Sequence, residues 1–107
     1  MSVKQVKNDV SQALENAFGI VGIVLGGSRA RDRHRLDSDI DIGIYYDETR
    51  GFDTKIVNKI AAQLDDDHRE NLVSSLGGWG DWINGGGWLV VQGFHVDLIF
   101  YLKRLFL

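Results

Sequence analysis

Ser38-Asp39-Ile40-Asp41-Ile42-Gly43-Ile44-Tyr45-Tyr46 alternates with a period of two. Side chains along a β-strand point to opposite faces in turn, so Ile40, Ile42 and Ile44 share one face, and Asp39, Asp41 and Gly43 share the other. The isoleucine face must find a core, while the carboxylate face must find water or a ligand. Residues two apart on one face have Cα atoms about 6.5–7 Å from each other, so the Asp39 and Asp41 carboxylates can converge on one site. Like charges held that close resist simultaneous ionisation, and a hard divalent cation with oxygen ligands removes the conflict. An exposed strand face whose aspartates merely solvate a sheet edge fits the same alternation.

Working back from this strand, Ile20 to Leu25 is short, apolar and rich in β-branched residues, which predicts a strand buried on both faces. Gly26-Gly27-Ser28 breaks it, and Ser28 is placed to cap a short helix running to Arg33. Glycine lets a ligand approach the backbone closely, a helix start presents unpaired N–H groups to an anion, and the Ser28 hydroxyl adds a contact for a phosphate oxygen. Many strand-to-helix turns carry Gly-Ser for turn geometry alone. Four arginines and His34 lie between Arg29 and Arg35, directly before Asp37, Asp39 and Asp41. A cationic patch beside an acidic cluster suits a metal–polyphosphate ligand, and it also suits a solvated loop whose charges neutralise one another.

Outside this region, Val3 to Phe18 carries apolar residues at helical spacing, with Gly19 as its stop. A second helix is predicted from Asp53 to Leu64, with Asp53 or Thr54 near its cap. Asp65-Asp66-Asp67 reads as a solvated turn, because three consecutive acids cannot all face one ion. Gly77 to Gly87 is rich in glycine and tryptophan and reads as a long loop. Trp88 to Gln92 and Phe94 to Tyr101 are strand-like runs joined at Gln92-Gly93, a hairpin. The order α-β-α-β-α-loop-β-β predicts an α+β fold, a small mixed sheet with helices packed on one face.

Asp97 interrupts the apolar run Phe94-His95-Val96-Asp97-Leu98-Ile99-Phe100. A carboxylate in such company is rarely buried without a partner. A strand beside Asp39 and Asp41 would bring Asp97 to the same cation, and a pairing with Arg29 or Arg31 would satisfy it equally. His95 reads as a packing or surface residue. Trp79, Trp82 and Trp88 either form a lid that stacks on a base or cover the open side of a small sheet. Trp88, at a strand start, is expected to do the second.

The chain has 107 residues, 44% of them apolar and 25% charged, which fits a single globular domain over 1–107. No apolar run is long enough to span a bilayer, and the N-terminal residues lack the layout of a secretory signal, so a cytoplasmic protein without a membrane partner is expected. The absence of cysteine excludes disulfides and thiolate metal sites, leaving oxygen and histidine as ligands. A net charge of −3 gives no general attraction to nucleic acid, and none is expected as a partner.

Taken together, Gly26-Gly27-Ser28-Arg29-Ala30-Arg31 and Ser38-Asp39-Ile40-Asp41-Ile42, followed by a later strand aspartate, resemble the signature of the DNA polymerase β-like nucleotidyltransferase superfamily. Its compact bacterial members include the minimal nucleotidyltransferases and the catalytic domains of aminoglycoside nucleotidyltransferases. The resemblance covers about Ile20 to Tyr101. It implies two magnesium ions held by Asp39, Asp41 and Asp97 as the catalytic carboxylates, and an NTP, with ATP expected, held at Gly27 and Ser28. Arg29 or Arg31 is placed to stabilise the phosphates or to pair with a surface acid, and Arg31 is the candidate taken for the phosphates. The implied reaction transfers an NMP, AMP in the first instance, to a hydroxyl acceptor that is a small molecule or a partner protein. Relatives often continue the Gly-Ser-x-Ala-Arg run with glycine where this chain has Asp32.

Larger relatives carry a separate helical domain that helps to bind the acceptor, and no such domain is expected here. The apolar tail from Leu102 to Leu107 is then expected to pack in a homo-oligomer or against a partner. Besides the small-molecule enzyme, two alternatives stand. One is an antitoxin-type protein that attaches AMP to a partner toxin. The other is a catalytically retired module that binds a nucleotide or a partner.

Overall fold

A computed structural model describes residues 2–25, 40–76 and 83–102. Within them lie two helices, α1 (Val3–Leu14) and α2 (Thr54–Leu64), and four strands, β1 (Ile20–Leu25), β2 (Ile40–Tyr46), β3 (Ile83–Val91) and β4 (Phe94–Leu102). The strands form one sheet in the order β1-β2-β4-β3. β1 runs antiparallel to β2, β2 parallel to β4, and β4 antiparallel to β3, so the sheet is mixed. The expected α+β arrangement is the one observed.

The alternation in β2 sets the two faces. Ile40, Ile42, Ile44 and Tyr46 are buried, and they join Leu89 and Val91 of β3, and Val96, Leu98 and Phe100 of β4, in one core. Val6, Val10 and Leu14 of α1 and Val57 and Ala61 of α2 close that core from the helix side. Both helices begin on capping side chains, with Ser2 Oγ accepting from Gln5 N at 3.1 Å and Asp53 Oδ1 from Lys55 N at 2.9 Å. Tyr46 stacks on Phe52 with ring centroids 4.7 Å apart, and Phe100 meets both rings edge-on. The other sheet face carries Asp41, Gly43 and Tyr45 of β2 and His95, Asp97, Ile99 and Tyr101 of β4.

Several expectations are corrected. α1 ends at Leu14 rather than Phe18, and Phe18 is 72% exposed, because the chain leaves the helix early and reverses at Gly19 (φ 82°) to enter β1. β1 is not buried on both faces. It pairs with β2 alone among the described residues, and Val24 and Leu25 are 46% and 41% exposed. An unbroken apolar run does not tell an edge strand from a central one. The stretch read as a loop from Gly77 to Gly87 is already strand from Ile83 onward. Glycine there marks close packing rather than a loop: a Cβ on Gly87 would run into the Leu72 carbonyl oxygen, beside the bridge that pairs Gly87 with Val73. Trp88 accordingly sits inside β3 and not at its start.

The acid triplet is not a solvated turn either. Asp65 is 1% exposed and accepts from Arg69 Nε and Nη2, from the amides of Asp67 and Arg69, and from Val90 N of β3. Asp66 accepts from the amides of Gln92 and Gly93 at 2.8 Å each and donates its own N–H to the Val90 carbonyl. The reason lies in the sheet edge. β3 is the last strand, and its outward N–H groups need acceptors that a neighbouring strand would otherwise supply. The expected hairpin is present, with Gln92 (φ 52°) and Gly93 (φ 83°) both left-handed, as a two-residue type I′ turn requires.

Candidate active site

Parallel pairing of β2 with β4 puts Asp41 in register with Asp97. Neighbouring strands lie about 4.8 Å apart, and in-register residues point to the same side. With Ile40 and Ile42, and Val96 and Leu98, committed to the core, both aspartates stand on the opposite face. β4 therefore does lie beside the Asp-x-Asp strand, and a third carboxylate from a distant part of the chain is brought next to it. Asp39, Gly27, Ser28 and Arg31, together with the short helix expected after Ser28, lie outside the described residues, as do Trp79 and Trp82.

Asp97 is about one-third exposed, and His95 Nε2 lies 3.0 Å from its Oδ1. An ionised carboxylate only accepts, so the shared proton belongs to His95 Nε2. The His95 ring stacks on Trp88, with centroids 4.8 Å apart and an interplanar angle of 15°. Trp88 is the register partner of Asp97 across β3 and β4, and His95 is thus its diagonal neighbour, within reach of large rings. The Arg69 guanidinium lies 4.6 Å from the Trp88 ring centroid, and Asp65 holds it from behind. Trp88 is on the open side of the sheet as expected, and it remains 45% exposed.

His95, which by sequence reads as a packing or surface residue, instead meets the Asp97 carboxylate. The signal was present: a histidine two residues before an aspartate on one strand shares its face, as Asp39 shares that of Asp41.

Farther along the same face, Tyr45 and Tyr101 are register partners and stack with centroids 4.9 Å apart. Gly43 leaves room for the Tyr101 ring, since a Cβ there would sit 3.1 Å from Tyr101 Cε2. Burial pushes the Tyr101 hydroxyl pKa up, and the neighbouring Tyr45 and Asp41 add to the shift. Tyr101 is therefore a neutral phenol at physiological pH. A cleft of about 220 Å³ beside Asp97 is lined by Gly87, Trp88, Asp97, Leu98 and Ile99. A cavity of about 510 Å³ lined by Lys55, Asn58, Lys59 and His68 among others lies on the helix side of the sheet, away from both aspartates, and has no part in their chemistry.

Among the described residues no three histidine or acidic side chains converge as a complete metal site. The donors present still fit a hard cation. Magnesium is usually bound through one or two carboxylates together with substrate phosphates and water, and Asp41 and Asp97 supply two oxygen-donor groups side by side on an accessible face.

A mixed sheet that brings carboxylates from two parallel strands to one open face, over a single helical layer, is the architecture expected of the nucleotidyltransferases. The family model for the nucleotidyltransferase domain matches residues 3–104, and the chain belongs to that family, within the polymerase β-like superfamily. The general chemistry of the family is nucleotidyl transfer from an NTP. No curated protein and no solved structure matches the chain. Among the described residues no helix is long and apolar enough to cross a membrane.

Proposed function

We propose that this domain transfers an NMP, AMP in the first instance, from an NTP to a hydroxyl acceptor at a magnesium site built by Asp39, Asp41 and Asp97. The observation that carries the reading is the in-register placement of Asp41 and Asp97 on adjacent parallel strands. Two carboxylates facing the same way on neighbouring strands repel each other, and a divalent cation between them offsets that repulsion. Two magnesium ions, when bound, would supply Lewis-acid stabilisation of the attacking and leaving oxygens of an in-line displacement.

The residues of the chain provide the rest. Gly27 and Ser28 bind the nucleotide phosphates through backbone amides and a hydroxyl, with Arg31 as a further cation. Asp97 also accepts the proton of the acceptor hydroxyl. A bond forms between the acceptor oxygen and the α-phosphorus, the bond from that phosphorus to the bridging oxygen breaks, and pyrophosphate leaves with the electron pair. The whole of 1–107 acts as one catalytic domain in the cytoplasm, with the acceptor supplied as a small molecule or a partner protein.

Calorimetric titration with non-hydrolysable analogues of the four NTPs, in magnesium and in EDTA, tests the reading. The expected result is magnesium-dependent binding that Asp41→Asn and Asp97→Asn each weaken by at least about tenfold, with the melting temperature held. Binding of none of the four analogues by the wild-type chain would end the intact-enzyme reading.

A further inference from the structure

Asp97 is gripped from one side by a series of contacts that nucleotidyl transfer as such does not require. The buried Asp65 carboxylate holds Arg69 through Nε and Nη2, at 3.0 and 2.7 Å. Arg69 lies over Trp88, Trp88 lies parallel to His95, and His95 Nε2 reaches Asp97 Oδ1 at 3.0 Å. A histidine on an exposed sheet face would normally sample several rotamers. Here the indole restrains the plane of the ring, and in that plane Nε2 meets the carboxylate.

We propose that His95 is a positioning residue for Asp97, acting through the Nε2–H···Oδ1 bond and held in place by Trp88. The inference rests on the reading of Asp97 as a cation ligand. An aspartate with a free second torsion presents either oxygen over a broad range of angles. With Oδ1 committed to His95, rotation of the carboxylate is restrained, and Oδ2 is the oxygen left to meet a cation. Hydrogen bonds of this kind to ligating groups typically change metal affinity by about 10–100-fold when removed. The imidazole itself neither touches the nucleotide nor leaves Asp97 during the reaction.

Two substitutions separate the hydrogen bond from the ring. His95→Phe keeps a flat ring to lie on Trp88 and removes the donor. His95→Gln restores a donor near the position of Nε2 without the ring. Both are compared with the wild type and with Asp97→Asn by calorimetry, using each of the four non-hydrolysable NTP analogues in magnesium and again in EDTA, with melting temperatures recorded alongside.

The expected result is that His95→Phe loses about 10–100-fold in magnesium-dependent affinity, while its affinity in EDTA changes by no more than about threefold. His95→Gln should recover to within about tenfold of the wild type. His95→Ala replaces the phenylalanine variant if that chain does not fold, and carries the same expectation.

Wild-type affinity in His95→Phe overturns the proposal and leaves the nucleotidyltransferase reading standing. Equal loss in the phenylalanine and glutamine variants also overturns it, because the ring and not the donor would then be what matters. Failure of the wild type to bind any analogue removes the underlying reading, and this inference falls with it.

Discussion

The Asp65 carboxylate lies at the end of α2, 1% exposed, between an arginine and the amide of an edge strand. Hydrogen bonds from the Arg69 side chain hold its pKa well below the usual carboxylate range, against burial, which acts the other way; the Val90 and Arg69 amides add to the lowering. A group whose pKa is depressed by folding adds stability that is present above its unfolded value, about 3.9, and is lost as the pH falls below it. The urea midpoint of the wild-type chain should therefore fall between about pH 5 and pH 2 by more than that of Asp65→Asn. Asp65→Ala should cost about 2–4 kcal/mol at neutral pH, since the Val90 N–H loses its acceptor along with the ion pair. A loss below about 0.5 kcal/mol in urea unfolding would show that water replaces the carboxylate there.

At the scale of elements, the β3–β4 hairpin places Asp97, and two glycines in it do different work. Gly93 occupies the second position of the turn with φ 83° and open space where a Cβ would stand. Gly93→Ala should cost only the strain of a left-handed alanine, about 1–2 kcal/mol. Gly87 has no such freedom in its surroundings, because backbone of the Leu72–Val73 segment lies against it. Gly87→Ala must push that segment off the edge of β3 and should cost about 3 kcal/mol or more. Denaturant unfolding of the two variants side by side should rank Gly87→Ala as the less stable. The opposite order would mean that the 65–74 segment does not hold β3 as the structure has it.

At the scale of the whole molecule, the sheet divides the chain into a helix-covered half that carries stability and an open face that carries Asp41 and Asp97. Substitution of either aspartate by asparagine should leave the core untouched and the melting temperature close to that of the wild type. A ligand that binds only the folded chain at about 100 times its dissociation constant adds about 2.7 kcal/mol. For a domain of this size, that corresponds to a rise of about 10 °C in melting temperature. Magnesium with the preferred NTP analogue should produce such a rise in the wild type and lose it in Asp41→Asn. A rise of equal size in both would place the nucleotide elsewhere on the molecule.

Local pattern alone was enough to read both helices, the β2 alternation and the Gln92-Gly93 hairpin, because each depends on residues close in the chain: apolar spacing, capping side chains and turn chemistry. The Gly-Ser and Asp-x-Asp spacing pointed in the same way to the nucleotidyltransferase family. What neighbours each strand was not readable from such patterns. The edge position of β1, the burial of Asp65 and the extension of β3 through its glycines all depend on which backbone lies alongside, and that is settled by packing between distant segments. The meeting of Asp41 with Asp97 and the grip of His95 on Asp97 belong to the same class. An aspartate in an apolar strand announces that it needs a partner, but only the parallel register of β2 and β4, and the ring of Trp88 across the hairpin, decide which partner it has.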